Sequence, residues 1–287
     1  MHLGNARTAL LAWLDARAAG GRMLLRIEDL DPQRSRGSYA DLILRDLEWL
    51  GLDYDEGPYY QSRRGARYAA VLESLRRRGL VYPCWCSRSD VHRAVGAPHP
   101  GDEAPYPGTC RAHSAEKEPP DGRGPAWRFL APARAYVWED LVLASQSARA
   151  DAFGDIVVRR ADGAFGYQLA VVIDDAEMGV TRVVRGADLI SSTPRQLALY
   201  ETLEYLAPRF GHVPLVLDGT GKRLAKRTPA ATVAGLREAG EDPRTVIGRL
   251  AASLGWVAEG QDATPSELLA ARCSLESLRG GMGQRGA

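Results

Sequence analysis

The start of the chain, MHLGNARTALLAWLDARAAG, constrains the fold more than any other stretch. His2-Leu3-Gly4-Asn5 reads as a nucleotide-binding turn that runs straight into a helix. Glycine lets the backbone approach a phosphate, and a helix N-terminus favours negative charge. In α/β folds such a turn follows a buried strand, because the strand end and the helix start together make the phosphate site. Here the sequence opens on the turn itself. Ala6, Leu10, Leu11 and Leu14 recur at helical spacing across residues 5–19, and Gly20-Gly21 stops that helix.

The chain then alternates. RMLLRIEDLD reads as a buried strand ending in acids. SRGSYADLILRDLEWLGL reads as a helix with Tyr39, Ile43, Leu47 and Leu50 on one face, and RYAAVLESLRRRGL as a third helix. DIVVRRADGAFGYQLAVVIDD reads as two strand-like runs about the turn Asp162-Gly163, and GVTRVVRGADLI as a further strand. STPRQLALYETLEYL is expected to be a helix capped by Ser192 or Thr193 with Pro194 in its first turn. VPLVLDGTGKRLAKR is expected to be a strand followed by a basic glycine loop, and residues 232–279 to be helical, with a disordered end. The pattern predicts an α/β, Rossmann-like nucleotide fold lacking its first strand.

Between Pro83 and Pro132 periodicity gives way to Pro, Gly, His and Arg, the mark of an inserted subdomain. Three of the four cysteines, Cys84, Cys86 and Cys110, fall there; Cys273 sits among leucines and reads as a packing residue. The cluster points to a metal rather than to disulfides. Three thiolates and a fourth donor suit tetrahedral Zn²⁺, which would fix a segment with little core of its own. His113 is the better generic fourth ligand, because the phenol of Tyr106 must first lose a proton near pH 10.

Net charge is +1, so nucleic-acid binding would have to come from local basic patches. Arg63, Arg64, Arg67 and Arg76 to Arg78 form one such candidate patch. No apolar run approaches the roughly 18 residues of a membrane span, no signal peptide is evident, and a cytoplasmic location is expected.

Several segments can meet at one site. His2 can donate to a phosphate oxygen. Lys222, Arg223, Lys226 and Arg227 can neutralise charge that builds on a triphosphate during attack at the α-phosphorus. Glu28, at a strand end, can hold a substrate ammonium, and Arg185 can hold a carboxylate in a bidentate fork, with Tyr167 between them.

Taken in order, these segments resemble the class I aminoacyl-tRNA synthetases of the glutamate group. His2-Leu3-Gly4-Asn5 is similar to that class's His-Ile-Gly-His signature, with Asn5 in place of the second histidine. RLAKR at 223–227 is similar to Lys-Met-Ser-Lys-Ser, with Lys226 as the second lysine and Ala225 replacing a serine. RIEDLDPQR, YYQSRR, YQLAVVIDD and VRGADLISSTPRQ resemble further segments of the group, and the likeness covers about residues 1–250.

Only about 60 residues follow the second signature, too few for the helical anticodon-binding region of a full glutamyl-tRNA synthetase. The chain therefore resembles the branch of the group that attaches glutamate to queuosine in tRNA(Asp). That resemblance implies ATP, with Mg²⁺, and L-glutamate as substrates, and queuosine-bearing tRNA(Asp) as acceptor. It implies His2 and Lys226 in catalysis and His2, Gly4, Asn5 and Lys226 at ATP. It places Glu28, Tyr167 and Arg185 around glutamate, with Arg185 near the side-chain carboxylate. It also favours Cys84, Cys86, Tyr106 and Cys110 as the zinc set.

The expected division is 1–82 and 151–231 as the two catalytic halves, 83–150 as the zinc-bearing insertion and 232–287 as a helical tail, in a monomer. The family carries an Arg-x-Ala-Pro-Ser-Pro-x-Gly strand before the first signature. Met1 is accordingly expected to be a misassigned start within a longer chain, the alternative being a genuine truncation with weak or no activity. Three further readings stay open: a shortened glutamyl-tRNA synthetase, a tRNA-binding paralogue without catalysis, and a zinc-dependent nucleotide-binding protein unrelated to tRNA.

Overall fold

The structure, a computed structural model, describes residues 1–31, 37–95, 105–112, 124–216 and 232–279. The basic loop with Lys222, Arg223, Lys226 and Arg227, residue His113 and the expected disordered end beyond 279 lie outside the described residues.

Two parallel strand pairs carry the α/β signature. β1 (Leu24–Ile27) pairs with β2 (Glu56–Tyr60), joined through α2 (Gly37–Trp49). β8 (Arg182–Gly186) pairs with β9 (Arg209–Val213), joined through α6 (Ser192–Thr202). Parallel neighbours need such crossovers, and a helix is the usual one. Among the described residues these pairs remain separate two-stranded sheets.

Between them in sequence lies an antiparallel sheet ordered β3 (Val81–Cys84), β4 (Ala126–Phe129), β7 (Ile156–Arg159). A hairpin of β5 (Ala135–Asp140) and β6 (Ala144–Arg149) follows β4. α3 (Gly65–Arg77) and α4 (Arg88–Val95) flank β3, and α5 (Tyr167–Glu177) follows β7.

α1 (Leu3–Ala18) is enclosed on more than one side. Leu10 and Leu14 pack with Leu50, Val246, Ile247 and Leu268, while Leu11 packs with Val213 and Leu275. The helical tail thus covers α1: α7 (Val233–Glu238), α8 (Pro243–Ala252) and α9 (Pro265–Ala270), the last opened by a Thr264/Glu267 capping box. Cys273 packs against this cluster, as expected. The other large core joins α3, α5 and α6 to β4, β7 and β9 through Tyr68, Leu75, Phe129, Val158, Leu169, Ile173, Leu199 and Phe210.

Several local expectations are corrected. The second strand-like run after Asp162-Gly163 is helix α5, buried continuously from Leu169 to Asp175. A run that is apolar on every face loses its period, so strand and buried helix look alike in sequence. Ser192 and Thr193 do not cap α6; they lie inside it, buried, and Ser191 occupies the cap without a side-chain bond. The strand expected over VPLVL lies earlier, at Arg209–Val213, and ends before Pro214, which has no N–H for a ladder. Tyr39 is 54% exposed, not on the buried face of α2. β2 had no counterpart in the sequence reading, because Gly57-Pro58 interrupts its pattern.

Candidate active site

His2 caps α1. Its Nδ1 accepts from the Gly4 N–H at 3.1 Å, which satisfies one of the helix's first donors. Gly4 leaves little room for anything larger, since a Cβ there would sit 3.3 Å from His2 Nδ1 and 3.8 Å from Val216. Thr232 bridges to His2, and the Val233 N–H donates to the Met1 carbonyl at 2.8 Å. Val216 and Thr232, the described residues on either side of 217–231, therefore both meet the His2–Gly4 turn. Asn5 is exposed on the first turn of α1.

Glu28 follows β1 directly, and about 40% of its side chain is accessible. Burial of the surrounding wall raises its carboxyl above the usual range, and Arg26 pulls the other way from 3.2 Å. Tyr167 opens α5. Gly166 before it is obligatory, because a Cβ there would drive into the Val157 carbonyl of β7. Burial raises the Tyr167 phenol; the Glu28 carboxylate raises it further and the Arg185 guanidinium lowers it. Tyr167 thus feels both charges. A cavity of about 280 Å³ opens here, lined by Glu28, Leu30, Gln61, Phe165 and Tyr167 among others.

Arg185, on β8, is buried. Its Nε donates to His212 Nε2 at 3.0 Å, its Nη1 to Gln196 Oε1 at 2.8 Å and its Nη2 to Thr193 Oγ1 at 2.8 Å. The guanidinium lies 4.9 Å from the Phe210 ring centre. Burial lowers its pKa, because desolvation disfavours the charged form.

The sequence reading missed the polar frame behind these residues. Arg26 reaches Asp175 at 2.7 Å. Asp174 accepts from Gln61 Nε2 at 2.8 Å, Tyr68 Oη at 2.7 Å and Arg64 Nε at 2.6 Å. Tyr200 donates to Asp175 at 2.9 Å. The doublet at the end of YQLAVVIDD was the available signal: two acids closing an apolar run must be paired if they are buried.

In the insertion, Cys84, Cys86 and Cys110 bring their sulfurs within 4.8 Å of one another. Tyr106 Oη lies 3.4 Å from Cys84 Sγ and 3.6 Å from Cys86 Sγ, and accepts from the Cys110 N–H at 2.8 Å. Burial pushes the Cys86 thiol up to about 11. At Cys110 burial is outweighed by donors from Tyr106 and the Trp85 backbone, and the thiol is lowered. Three sulfurs and one oxygen facing a common centre are a donor set that could hold a metal ion.

The candidate basic patch is largely engaged. Arg64 and Arg67 pair with Glu177, Arg76 stacks on Trp127, and Arg78 donates to the Thr202 carbonyl. Arg63 lies over the Tyr60 ring. No helix among the described residues is long and apolar enough to cross a membrane.

A family model for class I tRNA synthetases (E and Q), catalytic domain, matches residues 1–271. The chain is 49% identical to a glutamyl-Q tRNA(Asp) synthetase of Nitratidesulfovibrio vulgaris, over 93% of this chain and 86% of that one. It is 51% identical to one from Deinococcus radiodurans, over 94% and 90%. A glutamate–tRNA ligase of Burkholderia thailandensis is 42% identical, but the match spans only 55% of its length. Among solved structures, a glutamate tRNA ligase from Elizabethkingia meningosepticum in complex with its amino acid superposes with TM-score 0.77 at 28% identity. That match covers 94% of this chain and 61% of the other.

Proposed function

The chain belongs to the class I tRNA synthetases for glutamate and glutamine, among the glutamyl-Q tRNA(Asp) synthetases, and from that premise we propose that it activates glutamate with ATP and transfers it to queuosine in tRNA(Asp). The observation that carries this is the identity of about half the residues along 86–90% of those relatives. The glutamate–tRNA ligases it matches extend well beyond it, as matches to 55–59% of their length indicate.

In the first step an oxygen of glutamate's α-carboxylate bonds to the α-phosphorus of ATP. The bond to the β-phosphate oxygen breaks, and pyrophosphate leaves. In the second step a hydroxyl oxygen of the queuosine cyclopentenediol bonds to the acyl carbon. The acyl–phosphate bond breaks, AMP leaves, and the hydroxyl proton passes to solvent or phosphate. Both steps depend on positioning and on charge stabilisation.

His2, Gly4 and Asn5 hold the phosphates at the start of α1, where backbone N–H groups and the helix dipole favour an anion. Lys226 adds positive charge from the segment 217–231, whose flanking residues Val216 and Thr232 meet that turn. ATP enters as its Mg²⁺ complex. Glu28 takes the ammonium of glutamate, Arg185 its side-chain carboxylate, and Tyr167 donates between them. Cys84, Cys86, Cys110 and Tyr106 hold a zinc ion that braces the insertion and takes no part in the chemistry. The two halves of the catalytic region, the insertion and the helical tail divide near residues 83, 151 and 232. The protein works as a monomer in the cytoplasm, where ATP and tRNA meet.

Glutamate-dependent ATP–pyrophosphate exchange without tRNA tests the first step. Transfer of labelled glutamate to tRNA(Asp) with queuosine, against the same tRNA carrying guanosine, tests the second. Exchange that ignores glutamate, or labelling of both tRNAs alike, would overturn the reading.

A further inference from the structure

Arg185 is buried, and its hydrogen-bonding partners, His212, Gln196, Thr193 and Tyr167, are all uncharged. An arginine has five N–H donors and no acceptor. Three of Arg185's donors are consumed by His212, Gln196 and Thr193, and the remaining side of the guanidinium is the one that Tyr167 neighbours.

The contact with His212 has a definite sense. Arg185 Nε can only donate, so His212 Nε2 must present its lone pair. The ring proton is then on Nδ1, which faces Asp140 Oδ2 at 2.5 Å. Asp140 is itself held by N–H groups: its Oδ1 accepts from Val142 at 3.0 Å, Leu143 at 3.0 Å and His212 at 3.1 Å. Asp140 and His212 are both fully buried. A chain of contacts therefore runs from the end of β5 through β9 to the guanidinium on β8, with Thr193 and Gln196 of α6 clamping the other two nitrogens.

We propose that His212, locked by Asp140 as the tautomer protonated on Nδ1, is a positioning residue that aims Arg185 at the substrate carboxylate. This inference rests on the assignment of glutamate as substrate. A carboxylate in place of the imidazole would form an internal ion pair and compete with the substrate for the charge. A neutral acceptor orients the fork and leaves its charge available.

Two substitutions separate the role of each ring nitrogen. In His212→Gln the amide oxygen can reach the Nε2 position and still accept from Arg185, while Asp140 keeps its backbone donors. In His212→Asn the amide can donate to Asp140, but nothing accepts from Arg185 Nε. Both variants of the full chain are assayed by glutamate-dependent ATP–pyrophosphate exchange, with KM measured for each substrate and melting temperatures recorded.

H212N is expected to raise the glutamate KM about ten- to a hundredfold, the loss of one charge-assisted hydrogen bond, and to leave the ATP KM within about twofold. H212Q should stay within about threefold for both. Thr193→Val, a near-isosteric change that removes both the Nη2 acceptor and the hydroxyl 3.2 Å from His212 Nε2, should likewise raise only the glutamate KM, and it carries the test if H212N does not fold. Equal effects of Asn and Gln, or parallel rises in both KM values, would mean that His212 merely packs. Absence of glutamate-dependent exchange in the unsubstituted chain would overturn the substrate assignment, and this inference with it.

Discussion

Arg26 on β1 faces Asp175 on α5 at 2.7 Å, and this contact ties the strand that delivers Glu28 to the helix that begins with Tyr167. Both side chains are nearly enclosed, at 12% and 6% exposure. A pair so placed adds little by existing but costs much if broken, because one buried charge is left uncompensated. Asp175→Asn should destabilise the fold by about 3 kcal/mol and raise the glutamate KM as Arg26 loses its orientation. Urea unfolding together with exchange kinetics checks both effects; an unchanged midpoint would refute the structural half.

Glu28 is a different case, because it lies open to the cavity and supports no core. Glu28→Gln should leave the melting temperature unchanged while it weakens glutamate binding by about tenfold or more, the cost of a lost charge-assisted contact to an ammonium. The ATP KM should not move. A variant that bound glutamate normally would show that the ammonium is held elsewhere.

Gly166 has no room for a side chain, since a Cβ there would overlap the Val157 carbonyl. Gly166→Ala should push the start of α5 away from β7, at a cost of about 1–3 kcal/mol as in other overpacked sites. Tyr167 is the next residue, so glutamate affinity should fall with stability. Second-site recovery is not expected, because the obstruction is backbone.

Acid should unfold the β5–β9 junction. Burial alone would raise the Asp140 carboxyl, but hydrogen bonds from the His212 ring and from three backbone N–H groups outweigh it and hold the group at about 2. A folded value below the unfolded one, near 3.9, adds stability above that unfolded value. The contribution is about 2 kcal/mol and is lost as pH falls from about 4 toward 2. Asp140→Asn should lower stability at neutral pH and flatten that acid limb. Chemical denaturation at pH 2, 4 and 6 checks it.

Removing the proposed zinc should loosen the insertion. Prolonged chelation, or Cys110→Ser, is expected to lower the melting temperature and to expose Trp85 and Trp127, read by a red shift in fluorescence. Elemental analysis of the untreated protein should give one zinc per chain; a metal-free protein of full stability would refute the assignment.

The candidate site was legible in sequence where chemistry is local. His2 and Gly4 announce a turn at a helix start, the spacing of Cys84, Cys86 and Cys110 announces a convergent cluster, and Glu28 and Arg185 stand at the ends of apolar runs. What could not be read was what stands behind them. Gln61, Tyr68 and Arg64 reach Asp174 across more than a hundred residues; YYQSRR and the basic patch mark Gln61 and Arg64, but nothing local shows that they meet a buried acid. Ser192 or Thr193 reads as a helix cap because a hydroxyl ahead of a proline often is one; both lie buried inside α6, and Thr193 serves Arg185 instead.

The sequence by itself determined the alternating elements of the α/β fold, the family and the residue types able to bind a nucleotide, an amino acid and a metal. The elements and the residue types follow from side-chain periodicity, backbone freedom at glycine and the donor chemistry of single residues, all local properties; the family follows from the resemblance of whole motifs taken in order. The tertiary structure alone decided that YQLAVVIDD is a helix, since a segment buried on every side has no period to display. It also decided that Asp140, His212 and Arg185 form one line of contacts, because β5, β9 and β8 bring them together from distant parts of the chain, and hydrogen-bond partners are chosen by distance in space.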